Sequence, residues 1–353
     1  VRLDPFVAAT ERLLAAGDNP AFNPDPAERR RLTTAADHRA YSVLGRRRIE
    51  VATREQEVVV PGYPSARLRV YWPTESPAEP GADLPVLVHF FGGAFTIAGI
   101  DWPGWDHQFR TRAHEAGVIV VAGEYSHAPE VRFPAQPEQC YAIFDWVVRH
   151  ARKLGADPAR VAIGGASSGA NLAAAATLIN AERADHPVRL QLLEAPVVDL
   201  TGGHLDPRAV SRFLPRIALR PVFEPVVKEY LGPDRRLRRH RYASPLRAPT
   251  HRGLPPAVIL TAELDPLRGD GAAYTRALWR AGVPATCVQY QGQTHTSGGL
   301  TGHVPAADHL HRDVVTTLRT LHDDPPEYAT PAAPHTVGPR QLLADLLPWL
   351  RRR

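Results

Sequence analysis

Short apolar runs recur along the chain at residues 84–91, 118–125, 160–164, 190–193, 257–262 and 285–291, bounded by glycine, proline or charged residues. Continuous rather than alternating hydrophobicity is what a strand buried on both faces of a parallel sheet requires. Between several of these runs the apolar positions change to helical spacing. In 137–154, Tyr141, Phe144, Val147, Val148 and Ala151 recur on one face, with Pro137 at the start. Residues 171–179, 271–281 and 306–322 read as further helices. Ahead of this alternation, 48–60 and 66–72 are rich in β-branched residues and flank Pro61-Gly62-Tyr63-Pro64-Ser65, which predicts an antiparallel hairpin. The pattern predicts an α/β protein with a mostly parallel, doubly wound central sheet and an N-terminal antiparallel hairpin.

Two regions break the alternation. Residues 1–45 look helical and polar, and residues 201–248 form a helical insertion cut by Pro207, Pro215, Pro221, Pro225 and Pro233. The expected organisation is a core of 46–200 and 249–322, with 1–45 and 201–248 forming a helical cap. A proline-rich extension, 323–353, follows: a tether to Pro339, then an amphipathic stretch with Leu342, Leu343, Leu346, Leu347, Trp349 and Leu350 that is expected to dock on the protein's own body or a second copy.

Composition narrows the class. The 353 residues are 44% apolar and 22% charged, a globular balance, and 35 prolines argue against coiled coils or long helices. The net charge of +5 is almost all arginine, since Lys153 and Lys228 are the only lysines. Clusters such as 235–241 stand beside no recognisable nucleic-acid module, so they read as solvated surface and no nucleic-acid partner is expected. No run approaches the ~20 apolar residues of a membrane span, and the first residues lack a charged segment followed by an apolar one. The expectation is a soluble, cytoplasmic protein. Cys140 and Cys287 are too few and too far apart for a disulfide framework or zinc cluster and are expected to be buried free thiols.

The chemistry is carried by Gly165-Ala166-Ser167-Ser168-Gly169, which fits Gly-x-Ser-x-Gly between a predicted strand and an alanine-rich helix. Such a turn lifts the serine hydroxyl above the sheet, and the helix N-terminus behind it favours an oxyanion. A serine needs a base oriented by a third group. Asp265 follows the strand 257–262 and His295 follows the strand 285–291, so Ser167, Asp265 and His295 all lie in loops beyond strand ends, where open α/β sheets build their sites. Glu263 and Asp270 are the rival acids. Gly92 and Gly93, after the strand 84–90, would let backbone N–H groups approach a carbonyl, and together with the Ser168 N–H they are the candidate oxyanion hole.

These residues resemble the hormone-sensitive-lipase-like family of the α/β-hydrolases, typified by bacterial carboxylesterases. The likeness runs from about 84 to 322. Its most specific stretch is Glu124-Tyr125-Ser126-His127-Ala128-Pro129-Glu130 with Phe133-Pro134-Ala135, similar to the family's Asp-Tyr-Arg-Leu-Ala-Pro-Glu…Phe-Pro-Ala; Ser244-Pro245-Leu246 and Asp265-Pro266-Leu267-Arg268 add to it. The resemblance implies an α/β-hydrolase fold, a Ser-Asp-His carboxylesterase working through an acyl-enzyme, a helical cap over an acyl pocket, and no cofactor or metal. The chain departs from the family in two places. His-Gly-Gly-Gly appears as Phe91-Gly92-Gly93-Ala94, and Gly-Asp-Ser-Ala-Gly-Gly as Gly165-Ala166-Ser167-Ser168-Gly169-Ala170. Apolar residues at 91 and 166 together suggest a compensated, drier site. The expected partner is a small ester or related acyl substrate. An amidase, lactonase, thioesterase or acyltransferase is the alternative, and a non-catalytic ligand receptor a remote one, because fold and triad do not choose the leaving group. The oligomeric state is open, a homodimer included.

Overall fold

A computed structural model describes residues 3–15, 19–210 and 215–324. The expectations for 323–353 fall, from residue 325 on, outside the described residues. The strands are β1 (Thr53–Val58), β2 (Ala66–Tyr71), β3 (Leu84–Phe90), β4 (Ile119–Gly123), β5 (Ala156–Ala166), β6 (Leu190–Glu194), β7 (Ala257–Ala262) and β8 (Ala285–Tyr290). They form one eight-stranded sheet in the order β1-β2-β4-β3-β5-β6-β7-β8. The β1/β2 and β2/β4 pairings are antiparallel and all others parallel, so the hairpin read from the sequence begins the sheet.

The central strands are mostly apolar because helices cover both faces, with His89 of β3 and Gln191 and Glu194 of β6 as buried polar exceptions. One layer holds α4 (Ala135–His150) and α5 (Ser168–Arg183), the other α3 (Pro103–Ala116) and α8 (Pro305–Arg319). Successive β3 residues point to opposite layers. Phe90 packs toward α4, where its ring and Ile143 leave no room for a side chain at Gly123, while His89 reaches Arg112 of α3. Helix α7 (Arg268–Arg280) packs on β7 and β8.

The helix α3 escapes a reading by hydrophobic period because its buried face carries Arg110, Thr111 and Arg112 beside Phe109 and Ala113. Two expectations need correction at the far edge. The strand β8 is not buried on both faces: Thr286 and Gln289 are exposed, as an edge strand allows. For the same reason Cys287 is only partly buried, whereas Cys140 in α4 is buried as expected.

The N-terminal segment folds as α1 (Pro5–Ala15) and α2 (Pro26–Val43); the latter starts at an Asp25 cap, whose carboxylate accepts the Glu28 N–H at 2.9 Å. Among its described residues the insertion is mostly short 3₁₀ turns around one helix, α6 (Arg220–Leu231), which accommodates Pro225 inside it instead of breaking there. The two segments meet: Arg29 of α2 makes a two-pronged ion pair with Glu229 of α6, at 2.7 and 3.2 Å. They also hold the core. Gly104 donates to Asp37 at 3.0 Å, and Tyr230 stacks on Phe95 with ring centres 3.8 Å apart. Among the described residues no helix is long and apolar enough to cross a membrane.

Candidate active site

The register of the sheet brings the singled-out residues to one edge. Phe90 pairs with Gly165, Ala166 with Glu194 and Ala262 with Tyr290, so the loops after β3, β5, β6, β7 and β8 emerge side by side at the carboxyl ends.

Ser167 stands between β5 and α5 with φ 53° and ψ −115°, a conformation that L-residues rarely adopt. Its neighbours explain how the chain reaches it. A Cβ on Gly165 would sit 2.4 Å from the Gly169 backbone, and one on Gly169 would sit 2.1 Å from the Phe90 carbonyl. Only glycine permits so tight a reversal with the helix start against β3. The turn is then fastened from both sides. The Ser167 N–H donates to the Glu194 carbonyl at 2.8 Å, and the Asn171 amide donates to the Val197 and Ala243 carbonyls at 2.7 and 2.9 Å.

The histidine and the acid arrive from the two outer loops. His295 Nε2 lies 2.9 Å from Ser167 Oγ, and His295 Nδ1 lies 2.7 Å from Asp265 Oδ2. Asp265 is buried, and its other oxygen accepts the Leu267 N–H at 2.9 Å, which orients the carboxylate toward the ring. Ser297 steadies the histidine loop by accepting the Thr294 N–H at 2.8 Å and donating to Gln293 at 2.7 Å. Burial pulls the His295 pKa down, but the charge and hydrogen bond of Asp265 outweigh it and hold it above the ordinary histidine value. The imidazole side chain keeps 34% of its surface exposed, so solvent or a ligand can reach it.

The rival acids have other occupations. Glu263 lies just past β7 and accepts the Gly292 N–H at 2.8 Å, bracing the turn that leads to His295. Asp270 is fully buried in the first turn of α7, where one oxygen accepts the N–H groups of Val198 and Asp199 at 2.8 and 2.9 Å.

The glycine turn after β3 lies against the serine. A Cβ on Gly92 would come 2.8 Å from the Ala166 carbonyl, and one on Gly93 2.0 Å from the Ile97 carbonyl, so both positions demand glycine. The next residue is not glycine: Ala94 has φ 52° and Phe95 φ 63°. Ser168 opens α5, so its N–H has no acceptor within the helix. The Gly93 N–H, however, already donates to Ser168 Oγ at 3.0 Å. Sequence reasoning missed this hydroxyl's part and that of Tyr125, whose OH lies 3.2 Å from Ser168 Oγ. A signal existed, because Tyr125 sits in the most family-like stretch of the chain. It also missed Glu194, for which no sequence signal exists: nothing local marks it as the residue whose carbonyl holds Ser167.

Comparison with known proteins identifies the fold and the family. A family profile described as the α/β-hydrolase fold matches residues 87–297. The chain is 34% identical over 260 residues to the esterase LipI of Mycobacterium tuberculosis, covering 72% of this chain and 78% of that protein. It is 33% identical over 281 residues to the carboxylesterase NlhH of the same species, covering 77% and 84%. Among solved structures, a hyperthermophilic esterase from the archaeon Pyrobaculum calidifontis superposes with a TM-score of 0.80 at 28% identity, over 91% of this chain and 99% of that one. The thermophilic carboxylesterase EstE1, cloned from a metagenomic library, gives 0.75 at 30%, over 85% and 98%. With the profile spanning more than half of the chain and relatives at this identity along most of it, the chain belongs to the hormone-sensitive-lipase-like family of α/β-hydrolases, the family of bacterial carboxylesterases.

Proposed function

We propose that the protein is a carboxylesterase in which Ser167 is the nucleophile, His295 the general base and Asp265 the group that orients and charges-balances the imidazole. The observation that carries the reading is the unbroken chain Ser167 Oγ, His295 Nε2, His295 Nδ1, Asp265 Oδ2, at 2.9 and 2.7 Å, hung on a serine with positive φ. His295 takes the hydroxyl proton as Ser167 attacks an ester carbonyl, and the carbonyl oxygen becomes an oxyanion. The proposed donors to it are the Ser168 N–H at the open end of α5 and those of Gly92 and Gly93, the last shared with Ser168 Oγ. His295 then hands its proton to the leaving alcohol. Water, deprotonated by the same imidazole, releases the acid and restores Ser167.

Asp265 Oδ2 lies 2.7 Å from His295 Nδ1, where its carboxylate offsets the imidazolium formed during attack. The helical segments 1–45 and 201–248 serve in this reading as a cap over the acyl pocket, joined through Arg29 and Glu229. Cytoplasmic residence belongs to the same proposal and is checked by cell fractionation.

The test is hydrolysis of p-nitrophenyl esters from acetate to decanoate, with amide, lactone and thioester substrates beside them. Ser167→Ala is expected to lower turnover by roughly 10³-fold or more and to abolish labelling by a fluorophosphonate. Unchanged ester hydrolysis by that variant overturns the assignment.

A further inference from the structure

We propose that Ser168 and Tyr125 are positioning residues for the oxyanion loop, their hydroxyls forming a hydrogen-bonded ring that starts and ends on residues 91–93. This rests on the reading of Ser167 as nucleophile and deepens it.

Three contacts define the ring. The Gly93 N–H donates to Ser168 Oγ at 3.0 Å, the Tyr125 hydroxyl donates to the Phe91 carbonyl at 3.0 Å, and the two hydroxyl oxygens lie 3.2 Å apart. Their directions follow from proton counting. A phenol has one proton, and Tyr125 spends it on Phe91, a carbonyl that can only accept. The proton between the two hydroxyls therefore comes from Ser168, which accepts from Gly93 and donates to Tyr125. The sequence Gly93 N–H, Ser168 O–H, Tyr125 O–H, Phe91 C=O thus runs in one direction, and each member polarises the next. Ser168 is fully buried and Tyr125 nearly so, so water does not compete. Burial also raises the Tyr125 pKa, which keeps the phenol protonated and a donor. The Phe91 ring stacks on Tyr125 with centres 4.5 Å apart, which fixes the same loop from its side-chain face.

The placement matters because Ser168 belongs to both walls of the proposed oxyanion hole. Its N–H is a donor, and its side chain grips the opposite wall. The hydroxyl makes its contacts, with Gly93 and Tyr125, outside α5. It stands where the family pattern has alanine, in a chain that carries phenylalanine and alanine in place of the family's polar His and Asp at 91 and 166. The ring is therefore the chain's own polar support for that loop, built from the residue beside the nucleophile and the tyrosine in the loop just past β4.

The experiment measures Ser168→Ala, Tyr125→Phe and the double variant in the full chain, with rates divided by fluorophosphonate-titrated sites. Ester turnover is followed beside inhibition by a trifluoromethyl ketone, which forms an oxyanion on the nucleophile. Ser168→Ala is expected to lower kcat about ten-fold, the scale of one lost hydrogen bond at the transition state, with KM within two-fold of the parent. The ketone should weaken by the same factor as kcat/KM falls. Because the ring acts as a unit, the double variant should be no worse than Ser168→Ala. Undiminished kcat and ketone affinity in Ser168→Ala overturn the proposal, as does a loss confined to KM or to the titratable fraction, the mark of a merely structural role. A parent enzyme that takes no label overturns the nucleophile assignment, and the proposal with it.

Discussion

Removing the guanidinium of Arg112 is a stringent test of how the site is supported from beneath. Arg112 of α3 reaches through the sheet's covering layer to Glu194 at the end of β6, with two contacts of 2.8 Å, and both side chains are buried, at 3% and 11% exposure. His89 lies 3.2 Å from the same carboxylate and is held neutral, its pKa lowered by burial and by the Arg112 charge against the pull of Glu194. Burial opposes ionisation of Glu194, but the Arg112 charge and the His89 hydrogen bond outweigh it and bring the carboxyl from 4.5 to about 2. Such a displacement corresponds to about 3 kcal/mol of stability at neutral pH. Because the folded pKa lies below the unfolded one, this contribution is complete above about pH 4.5 and fades as pH falls toward 2. Arg112→Leu leaves a buried carboxylate without a cation, at a cost of roughly 3–5 kcal/mol. The Glu194 pKa then moves above its unfolded value, so the variant's deficit is largest at pH 7 and shrinks toward pH 4, where the carboxyl can take a proton. Urea unfolding of both proteins at pH 7 and pH 4 reads this out, and Arg112→Leu/Glu194→Gln should recover at least half of the loss. A deficit under about 1 kcal/mol at pH 7 contradicts the buried-pair argument. So does a deficit that is equal at the two pH values, or a double variant as unstable as the single one. Activity should fall with stability, since the Glu194 carbonyl holds the Ser167 N–H at 2.8 Å.

Further outcomes follow from the same geometry. With His295 as the proposed general base, kcat/KM should rise with pH through an apparent pKa above 6.5, the ordinary histidine value. In Asp265→Asn that midpoint should move down while the plateau drops by orders of magnitude, and a midpoint that stays put argues against Asp265 as the cause. Ala94 holds φ 52° where glycine is free of strain; Ala94→Gly should raise unfolding stability by about 1 kcal/mol, as urea titration would record. Phe91 is fully buried against Tyr125, so Phe91→His with Ala166→Asp should lower turnover of the preferred ester. A clear gain would contradict the picture of a dry, compensated site.

Much of the fold was legible because its causes are local. Strands β3 to β7 announce themselves as continuous apolar runs, and α4 as a helical stripe beginning near a proline. The tight turn at Ser167 is written in Gly165 and Gly169, whose missing side chains are the condition for the reversal. Where packing overrides periodicity, legibility ends. The helix α3 buries two arginines because each finds a partner: Asp106 one turn earlier in the same helix and the Val51 carbonyl for Arg110, and Glu194 on β6 for Arg112. The strand β8 has an apolar composition but an edge position, and edge or centre is a property of strand order rather than of the strand.

By itself, then, the sequence determined the α/β alternation, the strand-turn-helix that presents Ser167, and the chain order of serine, acid and histidine, since each depends on residues adjacent or nearly adjacent along the chain. The sequence favoured Asp265 but left Glu263 and Asp270, within eight positions of one another, as rivals; the course of the turn after β7 brings Asp265 to the imidazole at 2.7 Å. Tertiary structure also decided that a second serine hydroxyl grips Gly93, 75 residues away, and that the Glu194 carbonyl on β6 holds the Ser167 N–H. A hydrogen bond reaches about 3 Å and is indifferent to sequence separation, so contacts of this kind exist only once the sheet has brought its strand ends together.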